Sequence, residues 1–579
     1  MILPDGVLEY LMTAGIAVAL VGLIAGLIIE RKNIGAALRA SGFERSDLLL
    51  AVAIVLVFIA VEAYLVMPTQ LLFFDDAIYQ AMAQQLIHTG QAWMCNYGTP
   101  SGCYSGQVFH EPIGLSFNFA IAFAMFGVRR GVAYAAELAL AALSVFMSFF
   151  VALLLFKERR AAFLSELMLG ISPVVLVWAM PTNSDMAMLA YSLIAMFTVL
   201  VLARKRSVIG LSNVLLAIAM LLYMKIDAAI YVPILAAVFV LLADKSIAGS
   251  LRRAWHEISA NLLNTKLLVV LLIFIIAVYP AALYAYGTSN SSDYGYSGTT
   301  VQNTCSSGSI TAQGTINSAN FKANLCANLL YWINKYRGSY VIQPLAFTIL
   351  AILGAVALAF LSRGRLLATF GIWFIPIFLL YTSFYAGSVL YGVDWRFMLG
   401  LVAQAALLGG FALSKIVGGA EHVAGMFARH RRYIKAITGW AVMAAVVAFL
   451  FYVIYLQAPL LAVSPANIPQ AGDARFYENL VYNSSYKIPQ GCLVYTYDPT
   501  LFNINNRTAT QMGDLYDPSF YANASAKYGC SVIDIGYWCY TPGNICDTAY
   551  SEFNITPIAT AKYPPTGNVY GFYRLAPRG

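Results

Sequence analysis

A chain of 579 residues that is 60% hydrophobic and only 11% charged stands far from soluble globular proteins, in which about 25% of residues are charged. The composition reads as a polytopic α-helical membrane protein. The net charge of +8 comes without a basic patch interleaved with aromatics, so nothing points to nucleic acid as a partner.

A spanning helix needs about 20 mostly apolar residues. About twelve segments are expected to span: 10–29, 48–67, 133–156, 161–179, 185–203, 208–224, 228–243, 267–286, 343–362, 367–386, 397–414 and 437–457. The first does not read as a cleavable signal. It comes after Asp5 and Glu9, is long for a signal core, and lacks a small-residue cleavage site.

Lys and Arg concentrate at 30–47, 157–160, 204–206, 244–266, 362–365 and 415–436, which are alternate connections. Short basic loops stay in the cytoplasm, so both termini and the intervening loops are expected outside. The stretch 113–127 would invert every later loop if it crossed. It is expected to be a short juxtamembrane or re-entrant helix on the outer side.

The chain divides into four regions. Residues 1–67 hold two spans and a cytoplasmic loop, and 68–132 form the first extracytoplasmic loop. Residues 133–457 form the helical core, interrupted by a Ser-, Gly-, Thr- and Asn-rich outer loop at 287–342. Residues 458–579 form a small, Cys-rich outer domain, α/β or mostly β. Its strand-like runs are "CLVYTY" (492–497) and "CSVIDIGYWC" (530–539), and 558–575 reads as a hairpin around Pro-Pro-Thr-Gly.

All eight cysteines fall in loops expected outside, which suits disulfides in an oxidising compartment. The expected pairs are Cys95–Cys103 and Cys305–Cys326; Cys492, Cys530, Cys539 and Cys546 permit three pairings. No His-rich motif accompanies them to make a zinc site. Glycosylation sequons at Asn290, Asn483, Asn506, Asn523 and Asn554 lie on the same side.

The stretch "LLFFDDAIYQAMAQQL" sets Asp75 and Asp76 beside an apolar segment. The residues after this pair read as an amphipathic surface helix, with Ile78, Met82 and Leu86 on one face, Gln80, Gln84, Gln85 and His88 on another, and Gly90 as its stop. Asp75 can cap that helix, act as a general base, or do both. Adjacent helical residues point about 100° apart, so the two carboxylates are expected to differ in role.

The order of a basic-flanked span, an acidic pair with its helix, "HEPIG" (110–114) and an apolar stretch ending Phe126-Gly127 resembles the polyprenyl-phosphate-dependent glycosyltransferases of the GT-C superfamily. The resemblance is especially to the dolichyl-phosphate-mannose:protein mannosyltransferases and lipid A aminoarabinose transferases. Weaker likenesses are "SPVVLVWAMPTNSDMAMLAYSL" (172–193) with Asp185, "MLLYMKIDA" (220–228) with Lys225, and "YGVDWRFMLGL" (391–401) with Arg396. The sequence departs in having Asp76 where Glu is commoner and a single Pro112 where two prolines are usual.

The resemblance implies transfer of a sugar from a polyprenyl (dolichyl-type) phosphate to an acceptor hydroxyl outside the cytoplasm. It implies Asp75 as base with Asp76 assisting. His110, Glu111, Asp185, Lys225 and Arg396 are candidates for substrate contact, with Lys225 and Arg396 on the leaving phosphate. Interfacial snorkelling or pairing with Asp227 and Asp394 is the alternative for those two cations. A divalent metal is a possible cofactor, with Asp75, Asp76 and Asp185 as its ligands. The acceptor can be protein, lipid or glycan. A transporter with an outer domain is the second reading, although no internal repeat is visible; a membrane-anchored receptor is the third.

Overall fold

The computed structural model describes residues 5–65, 75–99, 102–107, 112–243, 249, 265–289, 299–302, 307–310, 318–332, 344–361, 363–383, 394–427, 437–453, 455, 469–540 and 546–578. Within them the chain is a helical membrane bundle carrying a sheet domain at one end. Seven helices are long and apolar enough to cross a membrane: Val7–Ile29, Arg45–Tyr64, Arg130–Phe156, Ser184–Arg204, Thr265–Ala285, Gly364–Ser383 and Arg396–Ala424. Five shorter apolar helices accompany them.

The helices are α1 (Asp5–Ile29), α2 (Arg31–Arg39), α3 (Arg45–Leu65), α4 (Asp75–Thr89), α5 (Gly114–Phe126), α6 (Arg130–Phe156), α7 (Arg159–Gly170), α8 (Pro173–Trp178), α9 (Ser184–Arg204), α10 (Val208–Met224) and α11 (Tyr231–Leu242). Further along the chain are α12 (Thr265–Ser289), α13 (Ser318–Trp332), α14 (Leu345–Phe360), α15 (Gly364–Ser383), α16 (Leu399–Phe427), α17 (Ile437–Val453) and α18 (Pro469–Ser484).

The expected span at 161–179 is two helices, α7 and α8. Pro173 is the cause: it lacks an N–H, and it forces Ser172 into extended backbone (φ −64°, ψ 124°). The segment 113–127 is the 13-residue α5, too short to cross. Its first residue, Gly114, lies so close to the Tyr223 carbonyl at the end of α10 that a Cβ there would collide with it.

Chain direction gives the bundle two poles. Helix α6 runs from one to the other, about 40 Å at 1.5 Å per residue. One pole, past the end of α6, is an ionic belt: Arg159 pairs with Glu44 at 2.6 Å and with Asp47, Arg160 with Glu421 at 2.8 Å, and Lys415 with Glu158 at 2.7 Å. These are the basic connections of the sequence. The other pole carries the sheet domain.

That domain holds a seven-stranded sheet in the order β2-β1-β6-β5-β7-β9-β8. Strands β5 (Cys492–Thr496), β6 (Thr508–Gln511) and β7 (Cys530–Ile535) are parallel; β8 (Phe553–Lys562) and β9 (Val569–Pro577) form the hairpin. Helices α19 (Pro499–Ile504) and α20 (Pro518–Lys527) are the crossovers, and α21 (Cys546–Glu552) precedes β8. Strand β7 stops at Ile535, short of the expected 539, because the Trp538 ring packs where a Cβ on Gly536 would stand.

The first loop completes this sheet. Strands β1 (Met94–Thr99) and β2 (Gly102–Gln107) pair with each other, and β1 pairs with β6 through Tyr97↔Thr510 and Gly98↔Ala509. The Ser-, Gly-, Thr- and Asn-rich loop at 287–342 contributes a separate two-stranded ladder, β3 (Thr299–Gln302) with β4 (Ser307–Ile310). Disulfides join Cys95–Cys103, Cys492–Cys530 and Cys539–Cys546. Cys326 is also disulfide-bonded, and Cys305 lies outside the described residues.

Candidate active site

Helix α4 ends at Gly90, whose φ of +74° is the left-handed turn that favours glycine at a helix stop. It is not the surface helix that its polar face suggests. Ile78, Tyr79, Met82, Ala83 and Leu86 belong to the membrane core, whereas Ala77 belongs to the core of the sheet domain. Gln80, Gln84 and Gln85 are buried as well, and Gln85 donates to the Trp93 carbonyl at 3.1 Å. The helix is clamped between bundle and domain; its three glutamines meet protein, and only His88 of that face is exposed.

Asp76 is therefore fully buried. Its Oδ1 accepts the Thr182 hydroxyl at 2.7 Å. The backbone of Asp75 opens α4; its side chain lies outside the described residues, as do His110 and Glu111.

Thr182 begins a polar run, Thr182-Asn183-Ser184-Asp185, at the head of α9. Asn183 is the helix cap, accepting the Met186 N–H at 2.9 Å. The Asn183 N–H in turn donates to Glu137 Oε1 at 3.3 Å. Glu137 sits two turns into α6, wholly buried.

Asp185, on the first turn of α9, gathers two cations. Lys225 Nζ is 2.8 Å from its Oδ1, and Arg396 Nε is 3.5 Å from its Oδ2. Lys225 also lies 3.5 Å from Asp227 Oδ2 and 4.1 Å above the Phe397 ring. It caps α10, where the apolar run ends, and Arg396 stands in the 3-10 turn Asp394–Met398 that leads into α16. Removing charges from water is costly unless opposite charges meet in good geometry; Lys225 and Asp185 do so at 2.8 Å, and Arg396 adds a looser contact at 3.5 Å. The side chain of Lys225 is 6% exposed and that of Arg396 is 16% exposed, so Arg396 is the more accessible cation.

The domain is latched beside this cluster. Arg130, at the start of α6, pairs with Glu478 of α18, bonds Tyr134, and lies 4.1 Å from the centre of the Tyr482 ring. Tyr482 feels Asp76 and Asp498 as well: burial pushes its phenol up, Arg130 opposes, and Glu478, Asp498 and Asp76 add to the rise.

Asp185, Lys225 and Arg396, far apart in sequence, thus stand together, one turn from the residue that holds Asp76. As for a metal, Asp185 is committed to two cations, and among the described residues no three His, Cys, Asp or Glu side chains converge as a ligand set. The third candidate ligand, Asp75, has its side chain outside the described residues. Sequence reasoning missed Thr182, Asn183, Glu137 and the Arg130–Glu478 latch. The first three carried a signal: a polar run between apolar segments, and an acid inside an otherwise apolar span.

No family model matches the chain, and no curated protein matches it by sequence. Solved structures do match its fold. ArnT from Cupriavidus metallidurans in the apo state superposes with a TM-score of 0.55 at 16% identity, over 90% of this chain and 97% of that one. The same protein bound to undecaprenyl phosphate gives 0.54 at 14% identity, with the same coverage. The chain has the GT-C fold. The archaeal oligosaccharyltransferase AglB from Archaeoglobus fulgidus, in complex with an inhibitory peptide and a dolichol-phosphate, gives 0.47 at 12% identity over 90% of this chain and 74% of that one. In GT-C terms, this chain joins a helical membrane bundle to a C-terminal sheet domain, and a loop between early spans lends that domain two strands.

Proposed function

We propose that this GT-C chain transfers a sugar from a polyprenyl phosphate to an acceptor hydroxyl, on the extracytoplasmic side of the membrane and with inversion. The observation that carries the reading is the convergence of Asp76, Asp185, Lys225 and Arg396 at the pole of the bundle opposite the basic belt. The basic belt suits the cytoplasm, which leaves the acidic pair and its domain outside. A polyprenyl carrier places its chain in the bilayer and its phosphate at that boundary.

In the proposed step, Asp75 takes the acceptor proton as the acceptor oxygen attacks the anomeric carbon. The bond from that carbon to the phosphate oxygen breaks, and polyprenyl phosphate leaves carrying the charge. Arg396, the more exposed cation, faces the phosphate. Lys225, paired with Asp185 and Asp227, tunes and braces it. Asp76, held by Thr182, fixes the N-terminus of α4 and so the position of its neighbour. The sheet domain, latched at Arg130–Glu478, covers the site and offers the acceptor its surface.

The test is release of labelled sugar from a polyprenyl phosphate donor by purified protein in lipid nanodiscs. Labelled transfer to an added acceptor is the expected result. No turnover of any lipid-phosphate donor, with solute uptake into sealed vesicles instead, would move the chain to the transporters.

A further inference from the structure

At the pole opposite the site, a cavity of about 570 Å³ opens on the side of the bundle between α3, α7, α16 and α17. Its walls are apolar, with Leu50, Val57, Leu167, Met443 and Phe451 among them. Among the described residues, its only charged lining residues are Arg160 and Glu421, which pair at 2.8 Å. Chain direction fixes its axis. Arg160 opens α7, Glu421 lies near the end of α16 and Gly439 near the start of α17, so the charged end sits at the ionic belt. Phe451 is twelve residues beyond Gly439, about 18 Å deeper along the helix.

We infer that this groove binds one acyl chain of an anionic phospholipid from the leaflet at the basic pole, with Arg160 on the headgroup phosphate. Three observations select that occupant. Helices α3 and α16 hold apolar windows long enough to cross a membrane, so the medium outside the groove is lipid. The groove has one charged end and an apolar depth, the polarity of a lipid standing along the membrane normal.

The third observation is charge. Arg160 is 51% exposed although it pairs with Glu421 through one nitrogen, and guanidinium has five N–H donors to share. Basic pockets between spanning helices on the cytoplasmic face attract anionic headgroups. Trp440, 76% exposed and lining the groove, is the residue type that settles at headgroup level.

The experiment is native mass spectrometry of the full chain from nanodiscs of equal phosphatidylglycerol and phosphatidylcholine. One phosphatidylglycerol should be retained in preference to phosphatidylcholine. Arg160→Ala should reduce that preference about five-fold, the worth of one basic group near a membrane surface. Met443→Trp, which narrows the groove without touching the charge, should reduce retention of both lipids. Equal retention of the two lipids by the native chain, or a preference unchanged in Arg160→Ala, overturns the inference. So does occupancy by a polyprenyl phosphate that phosphatidylglycerol fails to displace. None of these readouts depends on sugar transfer.

Discussion

The Thr182 hydroxyl donates a hydrogen bond to Asp76 at 2.7 Å, and three residues later Asp185 holds Lys225 at 2.8 Å. One polar turn therefore fastens the loop carboxylate to the cation cluster of the bundle. Thr182→Val keeps the shape and removes the donor, leaving a buried carboxylate oxygen short of a partner. The expected cost is about 1–3 kcal/mol of stability, with kcat falling more than KM rises. Thr182→Ser should restore both, as read by thermal melts and transfer kinetics.

The two adjacent acids should separate by assay. Asp75→Asn is expected to insert and melt normally while transfer falls by about 10²–10⁴, the usual range for loss of a general base. Asp76→Ala is expected to lower the melting temperature first, because it empties a buried, hydrogen-bonded position. Normal turnover by the Asp75 variant would remove the base assignment.

Arg396 and Lys225 should also part. Arg396→Ala is expected to weaken donor binding at least ten-fold with little change in stability. Lys225→Ala leaves Asp185 and Asp227 facing each other without their shared cation; breaking a buried pair costs about 3–5 kcal/mol. The double variant Lys225→Met with Asp185→Leu takes these partners from Asp227 and Arg396, so it should recover only part of that stability and none of the activity. A filter-binding assay on the donor together with thermal melts covers all three.

The sheet domain carries a pH signature of its own. Burial raises Asp534 from 3.8 to about 7, against hydrogen bonds from Tyr477 and Thr496, and Asp498 adds to the rise. Burial likewise lifts Asp498 to about 6. Between the ordinary value and these raised ones, the folded domain holds protons that the unfolded chain has released. Its stability therefore falls as pH climbs through that window, by up to about 1.4 kcal/mol per pH unit for each proton. Asp534→Asn, which keeps the shape without the ionisation, should flatten the slope and melt higher than the native chain at pH 8. Fluorescence melts from pH 5 to 8 check it.

Composition and apolar run length were sufficient to declare a helical membrane protein, because the bilayer demands about 20 apolar residues per crossing wherever they occur. Loop charge set the two poles, since basic connections alternate along the chain. Strands β5, β7 and the β8–β9 hairpin showed themselves as local runs with turn signals. The pairing of β1 with β6, which joins Tyr97 to Thr510, had no local signature. Hydrogen bonds between segments some 400 residues apart depend on where the fold carries them. The same is true of Lys225, Asp185 and Arg396. Each was visible as a charge beside an apolar run, but only the packing of α9, α10 and the turn before α16 made them one cluster. The polar face of α4 shows the limit most plainly: periodicity announced that Gln80 and Gln84 share a face, and tertiary structure alone decided that the face meets protein instead of water.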